Sequence, residues 1–234
     1  RNGASTETAF GATASGVPVA APTVTTQAAS IIAATSATGN GNITATNGAN
    51  ATTRGVIYYA YTNTDKVIGD GGVTDVGEAG SFGTGAFTAA LTPLAVNIQF
   101  NARAYAINPY GTGYGARVAF WTLANVPSAP TVNNATATTL DVTVNVNGNP
   151  ASTEFAIQET STGNYVQAGG TLGAGAVWQT AAAWGTKTVT GLTTGSTYTF
   201  QVKARNGGST ETAYGATASG VPACFSAITV TTNA

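Results

Sequence analysis

One stretch of this chain occurs twice. Residues 1–18 read RNGASTETAFGATASGVP and residues 205–222 read RNGGSTETAYGATASGVP, so the copies, 204 positions apart, differ only at Ala4/Gly208 and Phe10/Tyr214. The match resumes after the prolines, where APTVTT (21–26) is answered by AITVTT (227–232). Self-similarity at a fixed long period is the signature of an array of stacked units. The expected organisation is therefore the end of one unit at 1–18, complete units at 19–125 and 126–222, and the first strand of another at 223–234.

Eight basic and nine acidic residues in 234 leave a formal net charge of −1. That balance offers no basic footprint for nucleic acid or an anionic membrane. Low charge does not imply disorder here, because β-branched and aromatic residues recur throughout. Hydroxyl and amide side chains must carry the solubility, which suits a secreted or surface protein. No apolar run approaches the roughly 20 residues that span a bilayer. Cys224 is the only cysteine. It reads as a small buried hydrophobe, with an intermolecular bridge as the alternative.

Short β-branched or aromatic segments separated by Gly, Asn and Pro read as strands. In the first unit they are expected at 23–26, 30–37, 41–46, 55–61, 85–91, 98–107 and 116–122. In the second they are expected at 131–137, 140–146, 154–159, 165–168, 187–190, 197–206 and 212–219. Apolar residues never keep a 3.6-residue period over a helix length. About seven strands per 100 residues, with turn signals between, argue for an all-β fold of tandem antiparallel β-sandwiches. Proline-containing junctions, GVPVAAP (16–22) and NVPSAP (125–130), restrict hinge freedom.

The alternation is clearest in YTFQVKARN (198–206). Tyr198, Phe200, Val202 and Ala204 fall on one face of that strand, and Thr199, Gln201, Lys203 and Arg205 on the other. Leu192 lies six residues before Tyr198. These residues resemble the fibronectin type III family, whose penultimate strand is led by a Leu-x-Pro-x-x-x-Tyr corner and ends in Ala-x-Asn. Leu192, Tyr198, Ala204 and Asn206 match, and Thr194 stands where Pro is usual. The resemblance implies an Ig-like sandwich in which the Tyr198 hydroxyl bonds back to the backbone and fixes the crossover between sheets. In the first unit Leu94 and Phe100 repeat the spacing, with Val96 in the Pro place. Phe100 has no hydroxyl, so that corner bond is not expected there. GSFGTGAFTAAL (80–91), RAYAIN (103–108) and GTGYG (111–115) resemble fibronectin-like modules of large secreted and surface proteins of Bacteroidota.

Catalysis finds little support. The chain has no histidine, the usual general base near neutral pH. Glu154 and Glu159 are five apart on one expected strand, hence on opposite faces. No cofactor and no enzyme activity are expected. The acidic stretch with Asp65, Asp70, Asp75 and Glu78 is the best candidate for calcium, which takes six or more oxygens, often from a Gly-bearing loop. Its spacing is looser than that of a compact calcium loop, and a solvated loop is the plainer reading. Trp178, Trp184, Tyr59 and Tyr61 are candidates for a platform that stacks on sugar or anchors a partner, against the alternative that many of them fill cores. Asn42, Asn50 and Asn134 begin N-x-Thr triplets, a pattern expected by chance in a chain so rich in Asn and Thr.

These readings lead to a structural repeat of a long extracellular or cell-surface fibre or adhesin. Its partners would be neighbouring repeats, identical chains in a fibre, or surface glycans. The alternative is a set of accessory sugar-binding modules of a secreted polysaccharide-degrading enzyme.

Overall fold

The computed structural model describes residues 19–223. The repeated segment 1–18, Cys224 and the expected strand at 227–232 lie outside the described residues.

The first sandwich is built from eight strands: β1 (Thr23–Ser30), β2 (Ala37–Ala45), β3 (Ala51–Ala60), β4 (Val73–Phe82), β5 (Gly85–Leu91), β6 (Gln99–Asn108), β7 (Gly111–Tyr114) and β8 (Val118–Trp121). One sheet has the order β1-β2-β5 and the other β4-β3-β6-β7, with β8 also paired to β6. All pairings are antiparallel. Between the sheets lie Val24, Ile43, Val56, Tyr58, Phe87, Leu91, Leu94, Ala102, Ala104 and Phe120. Small residues on β2 make the layers fit. A Cβ at Gly41 would overlap the Phe87 ring and come within 2.8 Å of Ala104, so Phe87 fills the space that a side chain at 41 would take.

The second sandwich repeats the plan with shorter strands: β9 (Ser128–Asn133), β10 (Leu140–Asn145), β11 (Glu154–Glu159), β12 (Tyr165–Val166), β13 (Leu172–Gly173), β14 (Gln179–Thr180), β15 (Thr186–Val189), β16 (Tyr198–Arg205) and β17 (Ala218–Gly220). Its sheets run β15-β10-β9 and β13-β12-β11-β16-β17, with β14 paired to β11. Leu140, Val142, Phe155, Ile157, Val166, Trp184, Val189, Leu192, Phe200 and Val202 form the core.

Three departures from the expected strands have local causes. Residues 31–36 form a turn instead of a strand: Ile31 has φ +47, and the Ala33 N–H donates to the Ser36 carbonyl at 2.8 Å. Residues 73–82, expected in a solvated loop, form the edge strand β4, held by β3 on one side only. Its charges mark an edge protected against further pairing more than a loop. A one-turn helix, α1 (Ala181–Trp184), follows from TAAAWG: the Thr180 hydroxyl caps the Ala183 N–H at 3.2 Å, and Gly185 at φ 55 ends it.

Candidate functional site

Leu192 is buried, and the Tyr198 hydroxyl accepts the Thr193 N–H at 2.9 Å. In the first sandwich Leu94 is buried and Phe100 is stacked on Phe120, ring centroids 6.0 Å apart, with Tyr58 edge-on at 6.3 Å. The hydroxyl that Phe100 lacks comes from the neighbouring strand: Tyr58 donates to the Pro93 carbonyl at 3.4 Å.

The four acidic residues of the calcium candidate do not converge. Asp65 pairs with Arg117 and lies 3.8 Å from the Arg103 guanidinium. Asp70 accepts the Val67 N–H at 2.9 Å within its own turn. Glu78 pairs with Arg54 across β3 and β4 at 2.7 Å. Asp75, also on β4, faces the Tyr105 hydroxyl, whose pKa is raised by burial and by the hydrogen bond to Asp75. Among the described residues no three His, Cys, Asp or Glu side chains gather as a metal site would require. The loop between β3 and β4 instead covers the outer face of the first sandwich. Its Lys66 N–H reaches the Tyr59 hydroxyl at 3.4 Å, and its Ile68 N–H reaches the Tyr114 hydroxyl at 3.1 Å.

The aromatic platform is likewise divided. Trp184 is 2% exposed and donates its indole N–H to the Phe155 carbonyl at 2.8 Å. Tyr59 is buried with Ile57 and Tyr105 under that covering loop. Both are core residues and present no face to a sugar. Tyr61 is exposed, with its hydroxyl on Asn63 at 2.9 Å. Trp178 is half-buried over the outward face of β16, with Arg205 4.7 Å and Lys203 5.3 Å from its ring centroid. Lys203 also lies 5.5 Å from Tyr165 and 5.3 Å from Tyr214, and it pairs with Glu211 at 2.6 Å. Burial opposes the Lys203 charge, but Glu211 and the two phenol oxygens outweigh it and raise its pKa. Burial and the 2.6 Å hydrogen bond to Tyr165 push Tyr214 up to about 12. A cation among three rings is attracted by each. The polar face read from YTFQVKAR is therefore half-covered instead of open to water.

No family model and no curated protein matches the sequence. Among solved structures, a segment of two fibronectin type III domains from chicken tenascin superposes with a TM-score of 0.50 at 11% identity, covering 86% of this chain and 97% of that one. With the observed sheet order and corner, this decides the fold. The chain forms tandem fibronectin type III-like sandwiches. No helix among the described residues is long and apolar enough to cross a membrane.

The two fibronectin-like sandwiches meet in a junction that the sequence did not announce. Asn97, in the corner after β5, donates to Thr153 Oγ1 at 2.8 Å and accepts the Gly207 N–H at 2.8 Å. Asn206 Nδ2 donates to the Thr122 carbonyl at 3.0 Å. Trp121, last residue of β8, lies against Gly207 and Gly208: a Cβ at Gly207 would overlap its ring, and one at Gly208 would come within 3.0 Å. Asn97, Thr153 and Asn206 are buried, so these bonds are shielded from competing water. The visible signals were a Trp just before a Pro-containing linker and the Gly-Gly pair after β16.

Proposed function

We propose that this chain is a structural repeat segment of a long extracellular or cell-surface fibre or adhesin, in which fibronectin-like sandwiches act as a stiff spacer. The observation that carries the reading is the recurrence of residues 1–18 at 205–222 with two changes. Each sandwich has its own core, and the described junction is held by buried hydrogen bonds. Strands of about eight residues at roughly 3.3 Å each make a sandwich some 25–30 Å long. A two-sandwich period then advances roughly 60 Å, and many periods reach far from a surface. Low charge also reduces repulsion between identical chains lying side by side.

The decisive experiment is the denatured mass of the native material, with and without reductant. One very large, reductant-insensitive chain is the expected result. A single period joined to a catalytic domain would overturn it in favour of accessory modules of a secreted polysaccharide-degrading enzyme. On that second reading Tyr61 and the half-buried Trp178 are the remaining stacking surfaces, so Tyr61→Ala with Trp178→Ala should weaken retention on insoluble glycans. Unchanged retention would remove that reading.

A further inference from the structure

The two poles of the pair differ in a complementary way. In the described junction the C-terminal strand of the first sandwich brings a large residue, Trp121, and the following sandwich receives it on Gly207 and Gly208. The sheet register identifies the counterparts of these residues at the other poles. Phe100 pairs with Phe120 in the first sandwich, and Tyr198, its corner equivalent, pairs with Gly220 in the second. The residue after Phe120 is Trp121, and the residue after Gly220 is Val221. On the receiving side, Asn108 accepts the Tyr110 N–H at 2.9 Å, as Asn206 accepts the Gly208 N–H at 3.1 Å. Tyr110 of the first sandwich therefore stands where Gly208 stands in the second. One junction sets Trp against Gly. The other ends carry Val and Tyr, so the larger residue moves from the donating side to the receiving side.

Those ends are also conspicuously apolar and open. Val19 is 54% exposed, Tyr110 50% and Val221 43%. Val19 lies over the turn between β2 and β3, and Ala20 is fixed there by its N–H to the Asn47 carbonyl at 3.1 Å. In the repeat, Val17-Pro18 is the copy of Val221-Pro222, so the chain itself supplies a Val221 equivalent two residues before Val19.

We propose that the N-terminal pole of the first sandwich, formed by Val19 and the Tyr110 turn, is a docking surface for the C-terminal pole of a preceding copy of the second sandwich, with its Val221 against Tyr110. This rests on the tandem-spacer reading. The occupant is another period of this same repeat, and two unlike junctions alternate along the array. That move of the larger residue makes the order specific. Trp121 facing Tyr110 would crowd two large rings, and Val221 facing Gly207-Gly208 would leave a gap. The second junction has no Asn97 equivalent: Gly195, left-handed at φ 80 and donating its N–H to the Pro222 carbonyl at 2.8 Å, takes that corner position. Apolar contact must hold it instead. A contact this small serves only tethered neighbours, for which effective concentrations are in the millimolar range.

The test is a chain in which Pro222 is followed by a second 19–222, the joining already present at Pro18–Val19, with Cys224 thereby absent. Spin labels on Thr186→Cys of the first period and Thr88→Cys of the second report the new junction by pulsed electron resonance. The same two substitutions within one period report the Trp121 junction as control. The expected result is a distance distribution across the new junction as narrow as the control, broadened by Tyr110→Gly while the control stays narrow. A broad distribution that Tyr110→Gly leaves unchanged, beside a narrow control, overturns the proposal. That outcome leaves the spacer reading standing as a hinged array. A small native mass would instead remove the spacer reading without touching the measured junction.

Discussion

The two sandwiches share a plan and fill it with different chemistry. The second closes its core with one large anchor, Trp184, delivered by the single helical turn α1 and bonded to Phe155. The first has no such anchor. It interleaves Phe87 with glycine on β2 and spreads a second apolar layer, Ile57, Tyr59 and Tyr105, on the outer face of β3 and β6 under the acidic loop. Gly55 and Gly77, paired across β3 and β4, leave room for the Tyr105 hydroxyl. A core closed by one large anchor loses most at that residue, whereas a core of several smaller rings spreads the loss.

The largest expected effect follows directly. Trp184→Ala removes a fully buried ring and the indole N–H that the Phe155 carbonyl accepts, at a cost of about 3–5 kcal/mol. Calorimetry should show the transition of the second sandwich falling sharply while that of the first stays in place. Equal shifts of both would mean that the junction makes them one cooperative unit, and the contrast between the cores would lose its meaning.

Buried carboxylates draw the same contrast. Glu159 has no exposed surface, yet Ser161 and Thr162 each give it an N–H and a hydroxyl, at 2.7–3.0 Å. Burial alone would raise its pKa, but the four hydrogen bonds outweigh burial and hold it below the ordinary value. A carboxyl whose folded pKa is depressed contributes stability above its unfolded value, and that stability is lost as pH falls through the folded one. The second sandwich should therefore weaken below about pH 4.5, the ordinary glutamate value. Glu159→Gln should cost about 2–3 kcal/mol at neutral pH and flatten most of that acid slope. Asp141, held low by Thr188 and Asn134, keeps a remnant of it. Denaturant titrations at several pH values, read per sandwich, check both. An undiminished slope in Glu159→Gln would assign the acid sensitivity elsewhere.

What was legible in the sequence follows the same line between local and distributed causes. The corner Leu192–Tyr198 and the alternation of β16 are local patterns, and both poles of each pattern lie within one strand and its lead-in. The carboxylates of the calcium candidate are drawn apart because spacing along the chain says nothing about what each one meets in the fold: Asp65 meets Arg103 of β6 and Arg117 just before β8, and Glu78 meets Arg54 of β3. Trp184 was ambiguous because a Trp beside alanines reads equally as platform or core until Phe155 is brought to it. The junction residues Asn97, Thr153 and Asn206 are ordinary polar residues of a polar chain, and only the approach of two sandwiches buries them.

The smallest expected effect tests the corners themselves. Tyr198→Phe keeps the ring and removes the hydroxyl that accepts the Thr193 N–H at 2.9 Å. The N–H is near the surface and water replaces the lost partner in part, so the cost should be about 1 kcal/mol. Tyr58→Phe removes the substitute bond of the first sandwich, which at 3.4 Å is long and correspondingly weak. Its cost should be about 0.5 kcal/mol or less, because the packing of Tyr58, Phe100 and Phe120 survives the change. If Tyr58→Phe proves the costlier of the two, the first corner depends on its borrowed hydroxyl more than on its rings. Stacked aromatics would then be a poor substitute for the corner bond, and the first sandwich, for all its distributed core, would share the single-point vulnerability of the second.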